Sequence, residues 1–217
     1  MTSLRDLVER ARVLADGGQR RILGITGPPG CGKGTVSAAL LDALGSRAVV
    51  VPMDGFHLSQ AELRRLGARD RMGAPDTFDA AGYVDLLRRL RRRGEGVVFA
   101  PEFRRETEES VPDAIAVPDD VPLVVTEGNY LLLDDGPWSR VRSLLDEAWF
   151  LAPDDEVRVE RLVARHVEFG KTPAQARDWV RRSDERNAAL VATCRTRADL
   201  VVEGDPRPVV SSAAWGP

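Results

Sequence analysis

A nine-residue run, GPPGCGKGT at positions 27–35, has the residue types that bind phosphate groups. Glycines allow successive backbone amides to turn toward one anion, and Lys33 can neutralise the outer phosphates. The run follows a predicted strand and precedes a predicted helix, whose first amides and positive dipole end also favour an anion. The sequence therefore predicts a loop that binds a nucleotide through Gly27, Pro28, Pro29, Gly30, Cys31, Gly32, Lys33, Gly34 and Thr35.

The residue after the lysine departs from the usual pattern of such loops. That pattern places Ser or Thr directly after the lysine, where the hydroxyl binds Mg²⁺. Here Gly34 intervenes and Thr35 comes next. Thr35 is therefore the magnesium ligand that we predict from the loop, and whether it binds the ion directly is left open.

A second candidate for chemistry is Asp54, in the run PMDGFH that starts at Pro52. In the simplest winding of an α/β sheet, the strand that ends here lies beside the strand that leads into the loop. Asp54 would then face the phosphates, where a carboxylate can accept the proton of an attacking hydroxyl. We therefore predict an ATP-dependent kinase that phosphorylates an alcohol, with Asp54 as its base. The alternative is that Asp54-Gly55 is only a turn.

Strands and helices alternate along the chain in a way that would position these residues. Short apolar runs of this kind suit buried parallel strands, and sites then lie at the carboxyl ends of those strands. The pattern predicts an α/β domain at 1–204 and a C-terminal tail at 205–217. Strands are predicted at 21–26, 48–52, 97–99, 123–126, 148–151 and 200–202, and helices at 4–14, 35–44, 79–93, 153–168 and 172–187.

Charge and composition exclude several classes of protein. Acidic and basic residues nearly balance, 34 against 31, so no overall field attracts nucleic acid or anionic lipid. The basic run at 88–93 ends a predicted helix, where cations suit the negative end of the dipole. The sequence has neither a signal peptide nor a membrane span, and its two cysteines fit a reducing compartment. We expect a cytoplasmic protein that acts on a small molecule, without nucleic acid or membrane partners; a homodimer is left open.

Five motifs, in their order along the chain, carry a resemblance to a known family. They are GPPGCGKGT, VPMDGFH, RMGAPDTFD at 71–79, TEGNYLLL at 126–133 and RLVARHVEFGKT at 161–172. Together they resemble the uridine kinase, phosphoribulokinase and bacterial pantothenate kinase superfamily, especially its nucleoside-kinase-like and fructose-kinase-like branch, over about residues 22–202. The resemblance implies a P-loop NTPase fold, three-layer α/β/α with a mostly parallel central sheet, and a helical lid at about 161–172.

The resemblance also implies roles for individual residues. Asp54 matches the catalytic base of the family, and Glu127 matches a carboxylate that organises Mg²⁺ through water. Arg161 and Arg165, with Lys171 after them, match the family's mobile lid, whose cations would close over the phosphates together with Lys33. ATP and Mg²⁺ are the expected cofactors. The alternatives are that Glu127 caps a turn and that the arginines form a solvated face.

Two departures from uridine kinases bear on the acceptor. The family's DHPD aspartate is missing from the matching stretch 73–76, and its YDF segment is replaced by Phe103-Arg104-Arg105. Both disfavour uridine and cytidine. Arginines bind carboxylates and phosphates in two places, so Arg104 and Arg105, with Arg71, would suit an anionic acceptor. His57 could contact the substrate beside Asp54 or could serve only in packing.

Two other functions remain open at this stage. The GKGT ending also resembles nucleotide kinases, which suggests an enzyme that acts on a nucleoside monophosphate. A nucleotide-dependent regulatory protein with little transfer activity would bind ATP and phosphorylate no acceptor. A GTPase is disfavoured because the chain has no NKxD motif.

Overall fold

The structure is a computed structural model, and it describes residues 2–205. Residues 206–217, which include nearly all of the predicted tail, lie outside the described residues. A five-stranded parallel sheet has the strand order β2-β5-β1-β6-β7. Its strands are β1 Arg21–Thr26, β2 Ala48–Pro52, β5 Leu123–Glu127, β6 Glu147–Ala152 and β7 Leu200–Glu203.

Helices cover both faces of this sheet, as the apolar character of its strands requires. They are α1 Leu4–Ala15, α2 Lys33–Leu44, α3 Gln60–Arg65, α4 Ala80–Arg91, α5 Asp155–Glu168, α6 Pro173–Trp179 and α7 Glu185–Ala192. Because side chains alternate along a strand, Leu23 packs with Leu40 of α2 on one face, while Ile22 belongs to the core with Leu87 of α4 on the other. The predicted three-layer α/β/α fold is confirmed.

The position of β2 in the sheet differs from the one predicted from the sequence. We expected β2 beside β1, but β5 lies between them. The reason is burial: the first four residues of β5 are all buried, whereas β2 is half exposed and suits an edge. Pro52 at the end of β2 is in register with Glu127 at the end of β5. The two predicted carboxylates therefore follow neighbouring strands at the same edge of the sheet.

The predicted parallel strand at 97–99 is wrong. β3, Val98–Arg104, pairs antiparallel with β4, Glu109–Val117, in a separate two-stranded hairpin. β4 was not predicted because Pro112 and Asp113 are residue types that strands disfavour. The hairpin lies close to the segment after β2, since a Cβ atom on Gly55 would come within 2.2 Å of the Pro101 carbonyl oxygen.

The lid region also differs in detail from the sequence prediction. The helix expected at 172–187 is divided into α6 and α7 by a π-helical turn, Val180–Asp184. Its predicted start is confirmed, because Thr172 caps α6 and Pro173 occupies the first turn. Among residues 2–205, no helix has the length and apolar character needed to cross a membrane.

Candidate functional site

An open cleft of about 1310 Å³ lies where the glycine-rich loop, the segment after β2 and the lid helices meet. Asp54, Lys33 and Glu127 line it from the side of the sheet, and Arg161 and Arg165 line it from α5. The other predicted residues in its lining are His57, Pro29, Gly30, Gly32, Gly34 and Thr35. The structure thus brings together residues that are far apart along the chain.

The glycine-rich loop has a backbone that only glycine adopts without strain at three of its positions, Gly27, Gly30 and Gly32. Gly30 has a φ of 80°, and a Cβ atom there would lie 2.8 Å from the Arg158 carbonyl oxygen. Gly32, with a φ of 95°, precedes α2 and gives it no side-chain cap. The Lys33 amide donates to the Cys31 sulfur, whereas among the described residues no protein acceptor binds the amides of Gly34 and Thr35. These free donors fit an anionic ligand at the start of α2.

Lys33 is held by neutral groups. Its Nζ donates to the carbonyl oxygens of Gly27 at 3.0 Å and Pro28 at 3.2 Å, and to Oδ1 of Asn129 at 2.7 Å. Its positive charge has no carboxylate within hydrogen-bonding distance in residues 2–205. Sequence analysis missed Asn129, which stands two residues after Glu127 in the motif TEGNYLLL.

Glu127 is a carboxylate without a hydrogen-bond partner in the part of the chain that the structure describes. Burial and, to a smaller extent, the nearby negative charge of Asp54 raise its pKa to about 7 against the opposing effect of Lys33. A Cβ atom on Gly34 would lie 4.0 Å from its Oε1. The carboxylate therefore faces the loop that would hold the phosphates.

Asp54 follows β2 in a short 3₁₀ turn, Met53–Phe56. Its backbone carbonyl accepts the His57 amide at 3.1 Å and lies 2.8 Å from Nδ1 of the His57 ring. Its carboxylate forms a loose ion pair with Arg105, at 3.6 Å from Nη2 to Oδ2. The carboxylate remains about one-third exposed toward the cleft.

The His57 ring lies between two phenylalanine rings, both tilted with respect to it. Its centroid lies 4.0 Å from that of Phe78 and 4.5 Å from that of Phe103. Burial lowers the pKa of His57 below its usual 6.5, and the charges of Asp54 and Arg105 act in opposite directions on it. A neutral ring that packs between aromatic groups is favoured here.

The lid helix α5 points two arginines into the cleft. Arg161 pairs through Nη2 with Asp205, while its Nη1 is buried without a hydrogen-bond partner among the described residues. Arg165 has no ion pair within residues 2–205; burial lowers its pKa, and so does the positive charge of Arg105. Buried donors of this kind fit a ligand that is strongly negative.

Two predicted substrate-binding residues lie outside the lining of the cleft. Arg71 pairs with the exposed Asp76 at 2.7 Å, and Arg104 pairs with Glu102 at 2.7 Å. Arg105, at the tip of the β3–β4 hairpin, lines the cleft instead. Arg104 is the last residue of β3 and Arg105 the first of the turn that follows, so the two adjacent arginines have different surroundings.

The residues of the cleft offer a partial set of ligands for Mg²⁺. Among the described residues, no group of three His, Cys, Asp or Glu side chains could hold a metal ion. Thr35 and Glu127 provide a hydroxyl and a carboxylate near the loop. Mg²⁺ at phosphate sites usually takes one or two protein oxygens and completes its shell with phosphate and water, so this pair fits the ion.

Known proteins are similar to this chain in sequence and in fold. The profile described as the phosphoribulokinase / uridine kinase family matches residues 22–211. A protein of Schizosaccharomyces pombe, provisionally named a uridine kinase, is 34% identical over 94% of this chain and 91% of its own. An ATP-dependent kinase-like protein of Aspergillus versicolor is 37% identical over 71% of this chain and 95% of its own.

A solved structure agrees with these matches. It is the crystal structure of a protein of Silicibacter sp. TM1040, provisionally assigned as a fructose transport system kinase. It has a TM-score of 0.85 and 32% sequence identity, and the match covers 93% of this chain and 100% of that one.

Proposed function

The chain belongs to the phosphoribulokinase and uridine kinase family, and on that premise we propose that it transfers the γ-phosphoryl group of ATP to a hydroxyl of a small metabolite, with Asp54 as the base. Membership makes the chain an ATP-dependent P-loop kinase whose acceptor is an alcohol group of a small molecule. The identity of the base, the metal site and the acceptor are the parts that we propose.

The observation that supports Asp54 most directly is its place opposite the glycine-rich loop. Asp54 and Lys33 line the same cleft, and the Asp54 carboxylate is open to it. A hydroxyl bound between them would donate its proton to Asp54 while its oxygen attacks the γ-phosphorus in line with the leaving oxygen of ADP. Asp54 would end protonated, and the phosphate ester and ADP would be the products.

The cations of the cleft suit the charge that develops on the transferred group. Lys33 from the loop, with Arg161 and Arg165 from α5, would surround the phosphates and keep water out once the lid closes. Thr35 and Glu127 would hold Mg²⁺, which neutralises phosphate charge when it is bound. We also propose a cytoplasmic location, because Cys31 and Cys194 are free thiols.

The first test is an acceptor panel with ATP and Mg²⁺, in which release of ADP is measured for the wild type and for Asp54→Asn. The panel contains sugars, polyols, hydroxy acids, nucleosides and nucleoside monophosphates; uridine and fructose are included because relatives carry names that refer to them. We expect Asp54→Asn to lower kcat about 10²- to 10⁴-fold, the range for loss of a general base. ATP binding, measured by calorimetry, should be unchanged.

The matched control is Asp85→Asn, on the exposed side of α4, where Asp85 pairs only with Arg88. It should keep kcat within about twofold, because exposed ion pairs contribute little. A wild-type kcat in Asp54→Asn would exclude Asp54 as the base. ATP binding without phosphorylation of any acceptor would favour the regulatory alternative, and transfer to monophosphates alone would favour a nucleotide kinase.

A further inference from the structure

Besides Lys171, whose Nζ lies over the Trp179 ring, three cationic side chains face the cleft without a hydrogen bond to any carboxylate of residues 2–205. They are Lys33, Arg165 and Arg105. The triphosphate of ATP accounts for the first two, because Lys33 is part of the glycine-rich loop and Arg165 lies on the lid helix beside Arg161. Arg105 remains, and its guanidinium lies beside the Asp54 carboxylate, where an acceptor hydroxyl must be bound.

Arg105 is loosely held where it is. Its only ion pair among the described residues is the 3.6 Å contact with Asp54, and its side chain is 46% exposed. Exposed pairs of this geometry contribute at most about 1 kcal/mol. A carboxylate or phosphate that meets the planar guanidinium in two places binds it more strongly than this. Arg105 is therefore free to exchange Asp54 for an anionic ligand.

The hairpin that carries Arg105 is fixed to the walls of the cleft. Gln60 of α3 donates from its backbone amide to Glu109 at 3.1 Å and from Nε2 to the Glu108 carbonyl at 2.9 Å. Ser110 donates to the His57 carbonyl at 3.3 Å. These contacts hold the tip of the hairpin in one place relative to Asp54. The guanidinium is thus positioned by the fold and is not a random feature of a surface loop.

Two acidic groups of the cleft already have partners, while Glu106, next to Arg105, has no ion pair among the described residues. Glu108 is paired with Arg69, and Asp184, on the opposite wall, lies 2.9 Å from the His166 ring. Burial lowers the pKa of Arg165, and Arg105 lies close enough that its positive charge lowers this pKa as well. An anion between these two arginines would relieve their repulsion.

We propose that the acceptor is a hydroxy compound that carries a carboxylate or a phosphate, and that Arg105 binds this anionic group beside Asp54. The inference rests on the proposed function, because it gives the acceptor of that reaction its chemical class. It also gives Arg105 a second effect. While the acceptor is absent, the guanidinium pairs with the Asp54 carboxylate. When the acceptor binds, its anionic group pairs with Arg105 and leaves Asp54 unpaired. Arg105 is a substrate-binding residue in this account, and Asp54 remains the base.

The test compares related acceptors that differ in whether they carry a carboxylate, a phosphate or no charged group. Glycerol, glycerate and glycerol 3-phosphate form one series, and ribose, ribonate and ribose 5-phosphate form another. We expect the wild type to prefer either the carboxylate or the phosphate member of a series over the neutral one. Comparing the carboxylate member with the phosphate member identifies which anion the site binds. Arg105→Ala should lower kcat/KM for that member about 10- to 100-fold, mainly through KM, since charged hydrogen bonds contribute about 1.5–3 kcal/mol. The KM for ATP should stay within about twofold.

The matched control is Arg104→Ala, because Arg104 precedes Arg105 on the same hairpin, pairs with Glu102 and lies outside the lining of the cleft. It should change no parameter by more than about twofold. Equal use of neutral and anionic members, or equal losses in both variants, would overturn the inference and leave the kinase function standing.

A binding measurement separates the two proposals. Calorimetry with each series, at a saturating concentration of a non-hydrolysable ATP analogue, reports acceptor binding without transfer. Anions that bind the wild type, bind Arg105→Ala at least about tenfold more weakly and are never phosphorylated would support the anion site and refute the proposed function. If no anionic member binds more tightly than its neutral counterpart, the anion site is refuted whatever the enzyme phosphorylates.

Discussion

Single residues of the cleft carry charges without the partners that folded proteins normally supply. Lys33 donates to carbonyl and amide oxygens, and Glu127 accepts no hydrogen bond within the described residues, so that burial brings its pKa to about 7. Groups whose pKa is shifted by burial and by a nearby charge, inside a cleft, are typical of functional sites. The fold therefore holds charged groups in the cleft without protein partners of opposite charge. This is expected where a bound ligand supplies the missing partners.

His57 gives a prediction at this scale. Its pKa is lowered from 6.5 by burial, so the unfolded chain binds a proton at a higher pH than the folded protein. The contribution of the neutral ring to stability is present above about pH 6.5 and is lost as the pH falls through the lower folded-state pKa. In His57→Gln, the free energy of unfolding should therefore fall less between pH 7.5 and pH 5 than in the wild type.

Urea unfolding at several pH values measures this difference. The wild type and the variant share every other titrating group, so subtracting their curves isolates His57. Parallel curves over this pH range would show that the ring does not resist protonation in the folded state.

At the scale of elements, the glycine-rich loop and the lid helix are packed directly against each other. A Cβ atom on Gly30 would lie 2.7 Å from Cγ of Leu162 and 2.8 Å from the Arg158 carbonyl oxygen, both in α5. The loop thus rests on the helix that carries Arg161 and Arg165. Because the Arg158 oxygen belongs to the backbone of α5, a side-chain atom added at position 30 would force the loop or the helix to move.

We predict that Gly30→Ala lowers the free energy of unfolding by about 2–4 kcal/mol, since backbone strain and overpacking add. Gly94→Ala is the control, because Gly94 has a φ of 94° but a Cβ atom there would meet nothing within 4 Å. It should cost about 1 kcal/mol, the strain alone. Denaturant unfolding measures both, and equal losses would mean that the close approach of α5 has no energetic weight.

For the whole molecule, one buried cation links three parts of the structure. The Arg158 side chain is 1% exposed; it donates to the Pro29 carbonyl of the loop at 3.2 Å, to Asp155 of α5 at 2.8 Å and to Glu185 of α7 at 2.6 Å. The helices α5 and α7 are therefore tied to the phosphate-binding loop through one side chain. A residue in this position couples the lid to the site without touching the reacting atoms.

Arg158→Met keeps the bulk of the stem and removes the charge. We expect it to lower the free energy of unfolding by about 2–4 kcal/mol, because the Pro29 carbonyl and two carboxylates lose their donor, and to raise the KM for ATP. Arg181→Met is the control, because Arg181 is 79% exposed and, among the described residues, its ion pair is with Asp178 alone. This substitution should lower the free energy of unfolding by less than about 1 kcal/mol. Similar losses in both variants, or an unchanged KM in Arg158→Met, would contradict the coupling.

The sequence by itself determined the parts of the protein that local interactions specify. The bounds of β1 and β2 were predicted to the residue, and the run at 27–35 was predicted as a phosphate-binding loop between a strand and a helix. Periodicity, caps and glycine positions act over a few residues, so they can be read directly. The order of the family's motifs then indicated the class of enzyme.

Only the tertiary structure decided which distant residues meet. It placed β5 between β2 and β1, paired β3 with the unpredicted β4, and brought Arg105 into the cleft while Arg71 and Arg104 lie outside its lining. Strand order and side-chain direction depend on non-local pairing and on which surfaces must be buried, and no short stretch of sequence contains that information. The glycine-rich loop was therefore visible in the sequence, whereas the wall that would select the acceptor was not.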